Sequence, residues 1–255
     1  MMQSVERGNV TLFLGAPTRV GQALNDLVRE EVQALAAGGI KAVRNAIATQ
    51  ALRNAIGTDV DTRMLAEIFD SADKQDIFLS SMYGLGRPAT AFKSGKLFPE
   101  APRMLRGISA VLGSAVGHVV LAIEPLHWLF QSVQRPTLHE RVRDARWEDL
   151  YDASWVNVST VVRGAFPNVQ LSILSPTAIS AGPAPVLHHI FGSVGFELAD
   201  DQAGERLTMR AVSDPSTVRR LSDKLGIDDV TCDLLEGRFQ DDCAELARLD
   251  NVRVF

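Results

Sequence analysis

Val10-Thr11-Leu12-Phe13-Leu14-Gly15-Ala16-Pro17-Thr18-Arg19-Val20-Gly21-Gln22 decides how the rest of the chain is read. Its first five residues are a compact apolar run, which predicts a buried strand closed by Gly15. Val20, Leu24, Leu27, Val28 and Leu35 then recur at the spacing of one helix face, up to the stop at Gly38-Gly39. The opening is therefore strand, turn, helix.

The same alternation continues outward. Short apolar runs at Ile77-Phe78-Leu79, His118 to Ile123 and Val169 to Leu174 predict further buried strands. Helical spacing fills Arg63 to Phe69, Ala101 to Leu112, Leu126 to Val133 and Trp155 to Ala165. Strands alternating with helices predict a mainly parallel sheet covered on both faces, an α/β fold of the three-layer α/β/α sandwich type. Later, Pro183-Ala184-Pro185 starts a helix through Phe191 that Gly192 stops, Ser213 to Leu225 forms another, and Phe239 to Leu249 a third. No repeat, low-complexity tract or linker divides the chain, so residues 1–255 read as a single domain.

The chain holds 26 Lys+Arg against 31 Asp+Glu, a formal charge of −5, which argues against nucleic acid and anionic lipid as partners. No run of roughly 18 apolar residues is free of charge. Met1 to Arg7 carries neither a basic cluster nor an apolar core, so the expected setting is the cytoplasm, with no membrane partner. Cys232 and Cys243 lack a second pair and a histidine at zinc spacing, and read as ordinary thiols with no metal.

Ligands of an open parallel sheet bind beyond the carboxyl ends of its strands, which directs attention to Gly15, Ala16, Pro17, Thr18, Arg19, Val20, Gly21 and Gln22. The helix that begins there exposes unpaired amides with partial positive charge, suited to a phosphate or another small-molecule anionic ligand, and Arg19 adds a formal charge. An ordinary strand-to-helix turn fits the same residues. Neither Gly-x-x-x-x-Gly-Lys-Ser/Thr nor Gly-x-Gly-x-x-Gly is present.

Read with the later segments, Leu12 to Leu24 resembles the opening of bacterial sulfotransferase-family proteins, whose loop runs Gly-x-His-Lys-Thr-Gly-Thr-Thr. Leu79-Ser80-Ser81-Met82-Tyr83-Gly84 is similar to the family's Ser-x-Glu segment. Phe98 to Leu105, leading by a helix into Leu121-Ala122-Ile123-Glu124-Pro125-Leu126-His127-Trp128-Leu129-Phe130-Gln131-Ser132, resembles the element that places an Arg and a Ser on the donor's 3′-phosphate. Ser154 to Val158, Ala165 to Val169 and Phe239 to Leu246 resemble later elements of the same proteins. The resemblance implies a P-loop-type, sulfotransferase-like fold with phosphoadenosine phosphosulfate as cofactor. It implies Gly15 to Gln22 around the donor's 5′ side and Ser132 on its 3′-phosphate.

Several family positions differ. Thr18 stands where the family has its loop Lys, Gly21 and Gln22 where it has hydroxyls, Met82 at its base Glu, and Glu124 at its 3′-phosphate Arg. Sulfonyl transfer needs cations facing the charge that builds on the leaving oxygen, so these exchanges weaken the site. Arg19 is the residue placed to replace the missing Lys.

His127 follows the third of these strands and suits a general base of near-neutral pKa, or else a helix-surface histidine. His188-His189 are adjacent on a helix, face different ways and read as structural. Arg135, His139, Arg141, Arg143 and Arg146 form a basic stretch suited to an anionic acceptor, or a solvated helix paired with the interleaved Glu140, Asp144, Glu148 and Asp149. Ser80-Ser81 lack a nucleophile elbow. Two functions follow: a sulfotransferase moving sulfonate to an unknown hydroxyl or amine, with catalytic Arg19 and His127, or a non-catalytic member of the fold binding another anion or a protein.

Overall fold

A computed structural model of the chain describes residues 9–57, 59–72, 75–88, 91–132, 150, 153–192 and 227–255, without the side chains of 92, 93, 131 and 132. Its strands are β1 (Val10–Leu14), β2 (Ile40–Val43), β3 (Asp76–Ser81), β4 (Val116–Ala122), β5 (Gln170–Leu174) and β6 (Val252–Val254). All pair in parallel, in the order β2-β3-β1-β4-β5-β6. Its helices are α1 (Arg19–Glu30), α2 (Val32–Ala37), α3 (Asn45–Ile56), α4 (Arg63–Asp70), α5 (Ala91–Ser94), α6 (Ala101–Leu112), α7 (Leu126–Ser132), α8 (Trp155–Ala165), α9 (Pro176–Ser180), α10 (Pro183–Phe191) and α11 (Asp229–Leu246).

Alternate strand residues feed two cores. Leu12, Leu14, Val119, Leu121, Leu171 and Ile173 pack on one face against α3, α6, α8 and α11. Phe13, Phe78, Val120, Ala122 and Leu174 pack on the other against α1, α2, α9 and α10. A strand buried on both faces must be apolar at nearly every position, which is why β1 reads as a continuous run. Phe13 and Phe78 stack across β1 and β3 with centroids 6.2 Å apart, and burying each ring is worth roughly 1.5–3 kcal/mol.

Two short edge strands escape the periodicity. β2 has Lys41 at its centre, whose Nζ donates to the Ile68 carbonyl at 3.2 Å and to Ser71; an edge lysine also discourages pairing with another chain. β6 is three residues long and exists only because β5 offers it a ladder. The expected single helix from Val20 to Leu35 is two, because Glu31 leaves the helical region at φ −94°, ψ 17°. Gly39, at φ +79°, then turns the chain into β2. α3 buries mainly Ala48, Thr49, Ala51, Leu52 and Ala55, a face too small to register as hydrophobic. Gly107 of α6 lets it approach, since a Cβ there would stand 3.0 Å from Ile56 Cβ.

α11 begins ten residues before the expected Phe239, at Asp229, after Asp228 accepts from the Thr231 amide at 2.7 Å. The expected helix over Ser213 to Leu225 lies outside the described residues. Among the described residues no helix is long and apolar enough to cross a membrane.

The strand order places the site. After β1 the chain crosses towards β2, and after β4 it crosses the other way to β5. The crevice between the carboxyl ends of β1 and β4 is thus where connections diverge, the place at which such sheets bind ligands.

Candidate functional site

The turn after β1 is four residues long, Gly15 to Thr18, all buried. Arg19, Val20, Gly21 and Gln22 already belong to the first turn of α1. The Gly15 amide donates to the Ser81 carbonyl at 3.1 Å. A Cβ on Gly15 would meet Met82 Cα, Met82 Cγ and Phe13 Cε1, each at 3.2 Å. Glycine here serves close packing against the end of β3.

Thr18 caps α1. Its Oγ1 accepts from the Gly21 amide at 2.8 Å, and its carbonyl accepts from the Gln22 amide at 2.9 Å. Gly21 is held by the same contact, because a Cβ would stand 2.9 Å from both the Ala16 carbonyl oxygen and Thr18 Oγ1. Gly21→Ala is expected to lose a net of about 2 kcal/mol in thermal unfolding. Overpacking of about 1–3 kcal/mol and a weakened cap of about 1 kcal/mol outweigh about 1 kcal/mol of helix propensity gained.

The Arg19 amide, at the helix start where an anion would be held, donates to Glu124 Oε2 at 2.9 Å. Glu124 follows β4, is 0% exposed, and is brought across 105 residues of sequence by the β1–β4 pairing. The Arg19 guanidinium lies 5.4 Å from the centre of the Trp128 ring. Burial lowers its pKa, and the Glu124 charge acts in the opposite direction. A carboxylate from the protein's own chain thus sits on the dipole end of α1, with the turn's cation beside it.

His127 is not the near-neutral base that its position after β4 suggests. It is buried at 4% exposure, and its pKa falls to about 4, first by desolvation and then by the Arg19 charge. Its ring meets Trp128 edge to face with centroids 6.2 Å apart, and its Nδ1 has no hydrogen-bond partner. Glu236 Oε2 stands 4.0 Å from Nε2, but burial raises the Glu236 pKa and lowers that of His127. Both shifts favour neutral forms, so the contact is not an ion pair near neutral pH.

A second carboxylate ties this region to the C-terminal helix. Asp242 of α11, 3% exposed, accepts from Ser154 Oγ at 2.8 Å and from the Trp155 amide at 2.7 Å, so it caps α8 from a distant element. Trp155 Nε1 in turn donates to the Glu124 carbonyl at 2.8 Å. The chain Asp242, Trp155, Glu124, Arg19 leads from α11 to the β1 turn.

Ser132 ends α7, and its side chain lies outside the described residues, as does the basic stretch Arg135 to Arg146. Met82 follows β3, and its amide donates to Asn45 Oδ1 at 2.9 Å. Cys232 and Cys243 lie half-buried on α11, and burial first raises the Cys243 pKa to about 11. Among the described residues no three His, Cys, Asp or Glu side chains are grouped to hold a metal. Two cavities, of about 270 Å³ between α1 and the ends of β2 and β3 and of about 530 Å³ beside α10, are lined by residues other than Gly15 to Gln22. No protein-family model, curated protein or solved structure matches the chain.

Proposed function

We propose that this chain is a non-catalytic member of the P-loop-type, sulfotransferase-like fold, in which the phosphate-binding turn has become a structural joint and another anionic ligand or a protein partner is bound elsewhere. The strand order, with diverging connections at β1 and β4, supports the fold type. The observation that carries the functional reading is the Glu124 carboxylate on the Arg19 amide.

A sulfonate donor would have to bring its phosphate to the helix start that this buried carboxylate already holds. Like charges at such a site are uncompensated, at a cost of several kcal/mol. By the resemblance, Glu124 also stands where the 3′-phosphate Arg would be, so one residue opposes the donor at both ends. Arg19, the replacement for the missing Lys, is already engaged by Glu124 and Trp128.

The second reading, transfer of sulfonate from phosphoadenosine phosphosulfate to a hydroxyl or amine, draws on that same Arg19 cation beside the turn. Thermal shift with adenosine 3′,5′-bisphosphate separates the two. Ligand at ~100 times its dissociation constant adds about 2.7 kcal/mol, or roughly 5–10 °C for a chain of this size. The expected shift at millimolar ligand is below about 1 °C on the same scale. A rise of several degrees that Arg19→Ala abolishes would return the turn to donor binding.

A further inference from the structure

We propose that the cavity between α1 and the carboxyl ends of β2 and β3 binds a small neutral ring compound bearing an amide group, a carboxamide or a lactam, held by the side chains of Asn45 and Asn25. The site goes beyond the reading of the β1 turn and stands whether or not that turn binds a donor.

The sheet edge builds the cavity. The ladder between β2 and β3 ends at Val43 and Leu79, so Ser80 lies one residue past the last β2 partner. Ala42, Phe78 and Ser80 share the sheet face that α1 covers, and Ala42 brings only a methyl group to it. The space left under the helix is about 270 Å³, close to the lower bound of roughly 300 Å³ for small-ligand sites. Val28 and Val32 line it from the helix side, and Val32 is 44% exposed, so the mouth is open and partly apolar.

The two asparagines are held by backbone partners, which also fixes which amide atom is which. Asn45 lines the cavity at the start of α3, and its Oδ1 accepts from the Met82 amide at 2.9 Å and from Thr49 Oγ1 at 3.1 Å. A backbone N–H can only donate, so Nδ2 is what Asn45 has left to offer. That nitrogen has no hydrogen-bond partner among the described residues and is open to solvent. Asn25 of α1 donates from Nδ2 to the Gly21 carbonyl at 2.9 Å and accepts at Oδ1 from the buried Ser80 hydroxyl. One N–H and one lone pair remain to it. Both side chains are thus tied to the end of β3, at Ser80 and Met82, and both line the same space.

These remainders choose the ligand. The N–H groups of Asn45 and Asn25 suit one carbonyl oxygen, which accepts two hydrogen bonds, and Asn25 Oδ1 suits an N–H beside that carbonyl. An amide carries the two side by side. A carboxylate has no hydrogen to return, and one of its oxygens would face Asn25 Oδ1 unpaired. The charges of the lining lie at its rim: Arg29 and Arg44 are exposed, and Asp26 is paired with Arg29 at 2.9 Å. The ring of the ligand would rest against Val28, Val32 and Ala42.

The test is an NMR titration of the isotope-labelled full chain at pH 7 with benzamide and with benzoate, read on the side-chain amide signals of Asn25 and Asn45. Saturable shifts of both signals by benzamide, half-complete below about 10 mM, are expected, with benzoate at least about fivefold weaker for want of one hydrogen bond. Asn45→Asp keeps the oxygen that accepts from Met82 and Thr49 and loses both N–H donors. Read on the Asn25 signal, it should weaken benzamide binding at least about tenfold. Ala42→Ile leaves all of these hydrogen bonds in place and fills the space, so it should abolish the shifts, and it decides the matter if Asn45→Asp does not fold. No saturable shift, benzoate binding as tightly as benzamide, or undiminished binding by either folded variant would each overturn the assignment.

Discussion

Truncation of Glu124 to alanine should lower stability by about 3 kcal/mol and, in the same variant, turn the start of α1 into a sulfate site. Breaking a buried charge arrangement costs about 3–5 kcal/mol, and the lower end applies because Arg19 is only half-buried. The Arg19 amide and guanidinium would then face the space that the carboxylate held, with the helix dipole behind them. Sulfate at about ten times its dissociation constant should restore about 1.4 kcal/mol. Urea unfolding in sodium sulfate and in sodium chloride at matched ionic strength measures this, with the parent protein reporting the general effect of sulfate. Glu124→Gln, which keeps an acceptor for the amide, should lose less and gain nothing specific from sulfate. A Glu124→Ala protein as stable as the parent, or equal sulfate responses in both, would contradict the assignment of Glu124 as the resident anion.

Asp242→Ala should cost about 3 kcal/mol at neutral pH, because two hydrogen bonds to a carboxylate vanish and the Trp155 amide at the start of α8 is left buried without its acceptor. Ser154→Ala, which removes only the hydroxyl, should cost about 1 kcal/mol. The pH dependence has a defined sign. Burial holds the Asp242 carboxyl above the ordinary carboxylate range, against the opposing pull of Ser154, the Trp155 amide and Arg238. The folded state therefore binds this proton more tightly than the unfolded state. The contribution is complete below the ordinary carboxylate pKa and declines as pH rises through the raised value. The stability gap between the parent and Asp242→Ala should accordingly narrow from acid to neutral pH. Chemical denaturation at several pH values checks it, and a gap that widens would show the carboxyl to be stabilised by charge.

Much of the scaffold was legible because burial on both faces of a parallel sheet demands apolar runs, and β1, β3, β4 and β5 have them. β2 and β6 were not, since four and three residues carry too little periodicity and depend on a neighbour's ladder. α3 hid behind alanines whose burial follows from Gly107 opposite. At the site, the turn and Arg19 were readable by position, and Glu124 by its charge. That Glu124 caps α1 was not readable, because the contact needs β1 and β4 side by side. The lowered pKa of His127 was not readable for a related reason: it follows from a burial that nothing in the neighbouring sequence encodes. Asp242 carried no local signal at all.

The packing at Gly21 closes the turn to larger residues. A hydroxyl residue at position 21 would bring a Cβ into a space bounded at 2.9 Å by the Ala16 carbonyl oxygen and by the Thr18 hydroxyl that caps α1. Making room for a side chain there would require Ala16 and Thr18 to move together. A single substitution at position 21 therefore strains the turn and the helix cap at once, so this position tolerates a larger side chain only in concert with its neighbours.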